Sequence, residues 1–566
     1  MDRTTLRKPR RIKAFCVFLT CTRIRTFATA IALIAGCGDP IDEPSVPSNP
    51  GGEVLTGVLA APPTAGVSYE TASLSGVTSE DGSFEYREGE SVRFFLGDTT
   101  LGESAGGEEV TAFDLAGTEP LTTGARGFEE DRASISHATN VATLLQTFDY
   151  DSDPTNGIEI TPEVAALFEG VEVDLRRGLF DFARERTFRS VLNGANDAEL
   201  LDGYRRPRGG IVVLNDLYAE LDLSPGFFAP QSGTIDEDGN GEINAMREYT
   251  YEEQRSQVVL TKLGSNGKQT TTTTEFDEDG SQLSKAKSEA GGEVIFSNRS
   301  LTDVDGNVVL VSHDLYGDGI VDSSTTHSHD EFGQILRIEH DDDADGTAER
   351  VGRYEYDERG NQSRFEWDSN ADGAPERVEF RAWSEGRKVL GLEIDGDGDG
   401  WFESFEHFDY DEEGRLLGRA HYPNGEANPN RIRLWEYDAD GLLTRTSEDA
   451  DGDGTFETIV EYEAGRPIAE RVDEDGDGAI DRVQTWAYDA EGNESRLEYD
   501  FDADGSTDAV VSYAYDADGN RTLEETDYDA DGTPEHVTRT SFTPVDWGYV
   551  FYELRDRLSP DAALLR

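Results

Sequence analysis

Past residue 230 the chain alternates apolar and polar positions in short runs, with no helical period between them. "AVVSYAY" places Val511, Tyr513 and Tyr515 on one face of a strand. "RVQTWAY" does the same with Trp486 and Tyr488, and the pairs Tyr354/Tyr356, Phe408/Tyr410 and Trp435/Tyr437 repeat the arrangement. Stacking such strands predicts an aromatic ladder that buries one face of a sheet. Upstream the pattern differs. Residues 53–118 are short β-prone runs broken by Gly and Asp-Gly; in "SEDGSFEY" the turn falls at Asp81-Gly82, and Phe84 and Tyr86 share a face. Residues 128–221 follow a helical period, as in "ISHATNVATLLQTF", where Ile135, Val141, Leu144, Leu145 and Phe148 line one side.

Between the strands stand two kinds of turn. The first follows D-x-D-x-D-G-x-x-[D/E]. Its copies start at Asp341, Asp368, Asp395, Asp449, Asp473, Asp500 and Asp527, 27 residues apart except for one step of 54 and one of 24. The long step holds a decayed copy, "YPNGEANPN", from Tyr422; weaker relatives begin at Asp236 and Asp314. The second kind is an aromatic followed by an acidic turn: "YDERGN" at Tyr356, "YDEEGR" at Tyr410, "YDADGL" at Tyr437, "YDAEGN" at Tyr488 and "YDADGN" at Tyr515. One repeat is therefore strand, tyrosine turn, strand, acidic loop.

The acidic loop offers hard oxygen ligands at positions 1, 3, 5 and 9, with glycine at 6 for the bend, which suits Ca²⁺. The candidate ligands are Asp341, Asp343, Asp345 and Glu349; Asp368, Asn370, Asp372 and Glu376; Asp395, Asp397, Asp399 and Glu403; and Asp449, Asp451, Asp453 and Glu457. The last three loops add Asp473, Asp475, Asp477 and Asp481; Asp500, Asp502, Asp504 and Asp508; and Asp527, Asp529, Asp531 and Glu535. Position 12 is Val460 in one copy and Gly352 in another, so the bidentate glutamate of an EF-hand is missing. The loops resemble those of thrombospondin type 3 repeats and FG-GAP hairpins. The tyrosine turns resemble the YD repeats of bacterial Rhs-type proteins, and there Asp-Gly reads as a plain hairpin turn.

Charge strengthens the cation reading. The chain carries 118 acidic and 50 basic residues, a net −68, which repels nucleic acid and attracts cations. Its 566 residues imply several domains. All three cysteines, Cys16, Cys21 and Cys37, lie before residue 38, so the bulk of the chain has no thiol chemistry.

The first 25 residues are basic, and Phe27–Ala35 fits the apolar region of an export signal but is too short to span a bilayer. "IAGC" resembles a bacterial lipobox, which implies lipidation at Cys37 and removal of residues 1–36. Arg23 and Arg25 divide the apolar residues in two, so either the basic region is long or translation starts near "TRIRTF". Residues 37–52 read as a tether rich in Pro, Ser and Gly. Residues 53–118, with Gly76 to Gly82 and "FEY", resemble the transthyretin-like, carboxypeptidase-regulatory-like modules of bacterial lipoproteins, which implies a spacer or adhesion role. Residues 119–228 form a helical segment, 229–543 the repeat array and 544–566 a helical cap. Asp149, Asp151 and Asp153 read as a helix-ending turn, because Pro154 stands where a loop glycine is needed.

The expected fold is mainly β: a small sandwich, a helical segment, then an extended array of hairpins. The Rhs resemblance implies a spiralling single sheet; a β-propeller is the alternative. No G-x-S-x-G, H-E-x-x-H, phosphate loop or dinucleotide fingerprint is present, so the chain is read as no enzyme. His327 and His329 share a strand face, but the sequence places no further histidine or cysteine beside them. The expected function is a lipid-anchored structural or binding protein of the cell envelope, at the outer membrane. Calcium would stiffen its array, and its ligand would be a protein or glycan. The alternatives are an Rhs-type toxin-related shell, against which the roughly 20 residues after the last repeat leave no effector, or a carbohydrate-active enzyme.

Overall fold

The computed structural model describes residues 52–545, apart from residues 61, 123–131, 180, 252–256, 277–281, 424–425 and 427. The expected export signal and its Cys37 lie outside the described residues, as does the expected cap beyond residue 545; residues 544 and 545 belong to the last strand.

Two small sheets open the described chain. Val54–Leu59 pairs with Ser83–Arg87 and Glu109–Val110, and Ser68–Thr71 lies between Ser75–Val77 and Ser91–Leu96, which pairs in turn with Thr99–Ala105. Alternation drives Phe84 and Tyr86 inward, and Phe84 meets Phe94 of the other sheet edge-on at 5.0 Å. The Asp81-Gly82 turn forms as its sequence dictates, with Gly82 at φ 74°.

The helices do not stand apart from this module. Arg132–Thr147 is buried along most of its length, and Phe148 at its end packs edge-on against Phe168 and Phe188. Phe113 of the module meets Tyr218 of the helix Gly210–Glu220 at 5.8 Å, and Thr64–Ala65 pairs in parallel with Ile158–Glu159. One apolar core runs through both segments. The Asp149–Asp153 stretch ends the long helix: the Asp153 carboxylate accepts from the Thr155 N–H and starts a short 3-10 turn at Pro154.

The repeats form 24 antiparallel strands in a closed barrel, each strand beside its neighbour in sequence. The expected hairpin array is thus present. It is neither an open spiral nor a set of propeller blades: the first strand, Phe227–Asp236, pairs with the last, His536–Val545, over Phe227↔Val545 to Asp236↔Val537. Closure removes both free edges, which an open array would leave exposed. Both sheet faces carry ion pairs. Arg353 meets Glu366 and Asp368 on one, and Arg377 and Arg381 meet Glu379 on the other.

The barrel has two unlike rims. Acidic loops stand at one, tyrosine turns at the other. Where each aromatic ends its strand the register slips by one residue, as at Glu355/Tyr356 and Glu436/Tyr437. This bulge re-aims the ring. Each hydroxyl then donates to a carbonyl 21 residues earlier, on the strand of the preceding hairpin: Tyr356 to Ile335, Tyr410 to Val389, Tyr437 to Leu416, Tyr488 to Pro467 and Tyr515 to Glu494. Trp383 Nε1 does the same to Gln362. The expected aromatic ladder is therefore also a row of bolts between hairpins.

The helical segment docks on the tyrosine-turn rim. Arg186 donates twice to Gln334 Oε1 and covers the Phe332 ring; Tyr204 donates to Asp305 at 2.7 Å; Arg189 lies 3.5 Å from the same carboxylate; and Arg177 donates to the Arg359 carbonyl.

Candidate metal centre at the acidic rim

In each loop the backbone wraps around the carboxylate at position 1. In the first copy Asp341 accepts from the N–H groups of Asp345 and Gly346, Asp343 from Asp345, and Asp345 from Thr347. Glu349 at position 9 reaches back to accept from the Asp342 N–H. The loops at Asp473, Asp500 and Asp527 repeat this pattern bond for bond, with Asp481, Asp508 and Glu535 closing them. The Asp395 and Asp449 loops share the same closure through Glu403 and Glu457.

The wrapping brings the predicted ligands together. In the loops at Asp341, Asp395, Asp449 and Asp527, four carboxylates each offer an oxygen, and these oxygens lie within 4.8 Å of one another. Oxygens that close are within reach of one cation, and Ca²⁺ takes oxygen ligands at about 2.4 Å. Position 1 is buried in most copies, positions 3 and 5 are exposed and position 9 is half-buried, so the pocket faces solvent on one side. The donor set is all oxygen and hard, and the residues fit a calcium-class ion.

The Asp368 loop departs from the others. Asp368, Asp372 and Glu376 converge, but Asn370 donates to Glu376 Oε1 and Arg353 donates to Asp368 Oδ2 at 3.2 Å. The Ser369 backbone N–H and hydroxyl hold the Glu376 carboxyl below its usual range. Two of its ligands are thus engaged by internal cations or amides. The relatives at Asp236 and Asp314 keep the wrap, with Asn244 and Asp322 in the closing position. The decayed copy after Tyr422 lies partly outside the described residues.

The tyrosine turns are built differently. A single aspartate holds each: Asp357 accepts from the Arg359 and Asn361 N–H groups, and Asp516 from those of Asp518 and Asn520. The Asn361 and Asn520 side chains donate to the same carboxylates. Burial pushes the phenols above their usual range, Tyr356 to about 12.

Three features were not read from the sequence. Position 4 of the acidic loop is left-handed, with Ala344 at φ 56°, Ala371 at 53°, Ala503 at 51° and Ala530 at 53°, and glycine in the remaining copies. The Gly/Ala restriction at that position was the available signal. The tyrosine hydroxyl bolts were visible only as a two-residue aromatic spacing. His340 stands diagonal to His327, on the neighbouring strand of the same face, so a further histidine does lie nearby.

No protein-family model matches the chain, and no curated protein matches it. Among solved structures, a Tc holotoxin pore of Photorhabdus luminescens matches 53% of this chain at 14% identity, with a TM-score of 0.32. A TcdB2–TccC3 structure without its hypervariable C-terminal region matches 59% at 12% identity and a TM-score of 0.25. This chain spans 17% and 23% of those two chains. A porin-like protein of Bacteroides uniformis, 96% covered, matches 56% of this chain at 10% identity and a TM-score of 0.17.

Proposed function

We propose that this chain is a non-catalytic structural and binding protein of the cell envelope, held to the membrane through lipidated Cys37, whose barrel is stiffened by calcium along one rim. The observation that carries the reading is the repeated convergence of oxygen ligands at that rim. Three or four carboxylates this close repel one another in the absence of a cation. Seven loops taking one Ca²⁺ each would neutralise about 14 negative charges of a chain at −68. Strands of seven residues with charged pairs on both faces suit an aqueous compartment better than the lipid belt of a membrane barrel. The ligand class in this reading is a protein or glycan.

The closed ring of 24 strands favours a second reading, an enclosing Rhs-type shell, because barrels with this many strands surround a lumen. Calcium would serve both readings in the same way.

The test is a thermal melt of the full chain with calcium, with magnesium and with chelator at constant ionic strength, since screening alone would also help so acidic a protein. Calcium is expected to raise the barrel's melting temperature by mass action and to lower its protease sensitivity. Equal protection by magnesium or monovalent salt would reduce the loops to ordinary acidic turns. The anchor is tested apart: a fatty-acid analogue should label the wild type and not Cys37→Ala.

A further inference from the structure

Of the chain's seven lysines, four fall between residues 262 and 287, within a barrel whose other ion pairs are made mainly by arginine. Lys262 stands on the strand Gln257–Leu263, and Lys285 and Lys287 on Gln282–Glu289; the threonine-rich strand Gln269–Phe276 lies between them. Residues two apart on a strand share a face, and so do directly opposed residues. Arg247 is opposite Lys262, Lys262 opposite Thr270, Thr272 opposite Lys287 and Thr274 opposite Lys285. Leu260 links the rows, being opposite Thr272. Arg247, Lys262, Lys285 and Lys287 therefore project from one face. Lys262 and Lys287 are two strands and one residue pair apart, about 12 Å between Cα atoms.

This sector differs from the rest of the ring in lacking counter-charges. Further round on the same face, Arg350 meets Asp342, Arg377 and Arg381 meet Glu379, and Arg419 meets Glu406. Arg247, Lys262, Lys285 and Lys287 make no hydrogen bond or ion pair among the described residues. On the strands that carry them, Glu289 is the one described carboxylate of this face, and Lys268 engages it. The rim changes too. Two consecutive turns there, residues 264–268 and 289–293, are short hairpins in place of the D-x-D-x-D-G loop. The four charges act on one another: burial first, then Arg247, Lys287 and Lys285, hold the Lys262 ammonium below its usual range. Like charges on neighbouring strands destabilise a sheet unless something of opposite sign sits between them. In a chain with 118 acidic residues, none of the described ones does so here.

We propose that Arg247, Lys262, Lys285 and Lys287 bind a ligand bearing several oxyanion groups, sulfate or phosphate, on one molecule. Cations spread over three strands do not converge on a point, so a ligand with spaced anionic groups matches them better than one small ion. Thr270 and Thr272 set hydroxyl donors on the strand between the lysines. Lysine offers a mobile point charge that can follow an exchangeable ligand, whereas the fixed fork of arginine suits the barrel's internal carboxylate pairs. The rest of so acidic a chain repels a polyanion, which confines it to this sector. The site rests on ion pairing alone and is independent of the calcium reading.

The test is calorimetric titration of the full chain with sucrose octasulfate, with sucrose and with inorganic sulfate, at one calcium concentration and one ionic strength. Wild type should bind the octasulfate and not sucrose, and should bind inorganic sulfate about 100-fold more weakly or less, since one ion engages only part of the patch. Lys262→Gln and Lys287→Gln should each weaken octasulfate binding about tenfold. Lys388→Gln makes the same charge change on a distant strand and should leave binding alone. A thermal melt separates lost binding from lost folding: removing one of several like charges should leave the melting temperature unchanged or raise it. The proposal fails if the octasulfate does not bind, if inorganic sulfate binds as tightly, or if the Lys262 and Lys287 variants bind as well as wild type. Because calcium is held constant throughout, failure here leaves the rim reading untouched.

Discussion

Glycine and alanine share position 4 of the acidic loop for reasons that can be separated. A left-handed backbone costs an L-residue about 1–2 kcal/mol. Gly398, at φ 72°, escapes that cost and also a collision, since a Cβ there would stand 1.8 Å from the Pro375 carbonyl oxygen of the preceding loop. Gly452 against Pro429 and Gly239 against Pro534 show the same close approach, the last across the barrel seam. Gly398→Ala should therefore destabilise the barrel by about 2 kcal/mol or more, through strain and displacement of the adjoining loop. Ala344 sits in the same backbone region at φ 56°. Ala344→Gly should stabilise by up to about 1 kcal/mol, the released strain being partly offset by glycine's freedom in the unfolded chain. Denaturant midpoints of the two variants measure both signs; a stabilising Gly398→Ala would refute the loop-to-loop contact.

At the scale of the hairpin, two turns that look alike in sequence differ in what their carboxylates do. The Asp504 N–H donates to the Asp500 and Asp502 carboxylates while its own carboxylate accepts from the Ser506 N–H, so all three carboxylates serve one bend, whereas in "YDADGN" only Asp516 is engaged by the turn's backbone. Asp504→Asn should remove one calcium from the stoichiometry, or weaken that site about tenfold, and Asp518→Asn should leave both stoichiometry and melting temperature alone. Calorimetric titration decides between them, and equal effects would mean the two turn types are not distinct. This division was legible because ligand spacing and turn chemistry are local: D-x-D-x-D-G places three carboxylates in one bend wherever it occurs. The same locality made the helices around Ile135 and Val213 readable from their period. It failed for His340, which comes diagonal to His327 only through strand register. It also failed for the tyrosine hydroxyls, whose acceptors lie 21 residues away across a bulge. A pattern that repeats along the chain fixes each element well, but contacts between elements depend on register, which a bulge shifts by one residue.

Closure belongs to the whole molecule, and nothing in a single repeat specifies it. A hairpin array with constant twist is as compatible with a spiral as with a ring. What decides is the seam, where the first strand departs from the repeat consensus as "FFAPQSGTID" and pairs with the last across more than 300 residues. There Ser232 and Ser541 face each other with their hydroxyl oxygens 2.8 Å apart. Directly opposed residues of an antiparallel pair hold their Cα atoms about 4.5–5.5 Å apart, inside the Cα range of a disulfide, about 4.4–6.8 Å. The pair Ser232→Cys and Ser541→Cys should accordingly form an intramolecular disulfide on oxidation, seen as a faster band on a non-reducing gel that neither single variant gives. Because it ties the ends of so long a segment, the bond should also raise stability by about 4–5 kcal/mol where native geometry is kept. An open or spiral sheet would hold residues 232 and 541 apart and give no such band. The cross-link would then form only between molecules, at a rate that rises with concentration, and the 24-strand ring would be excluded as the state in solution.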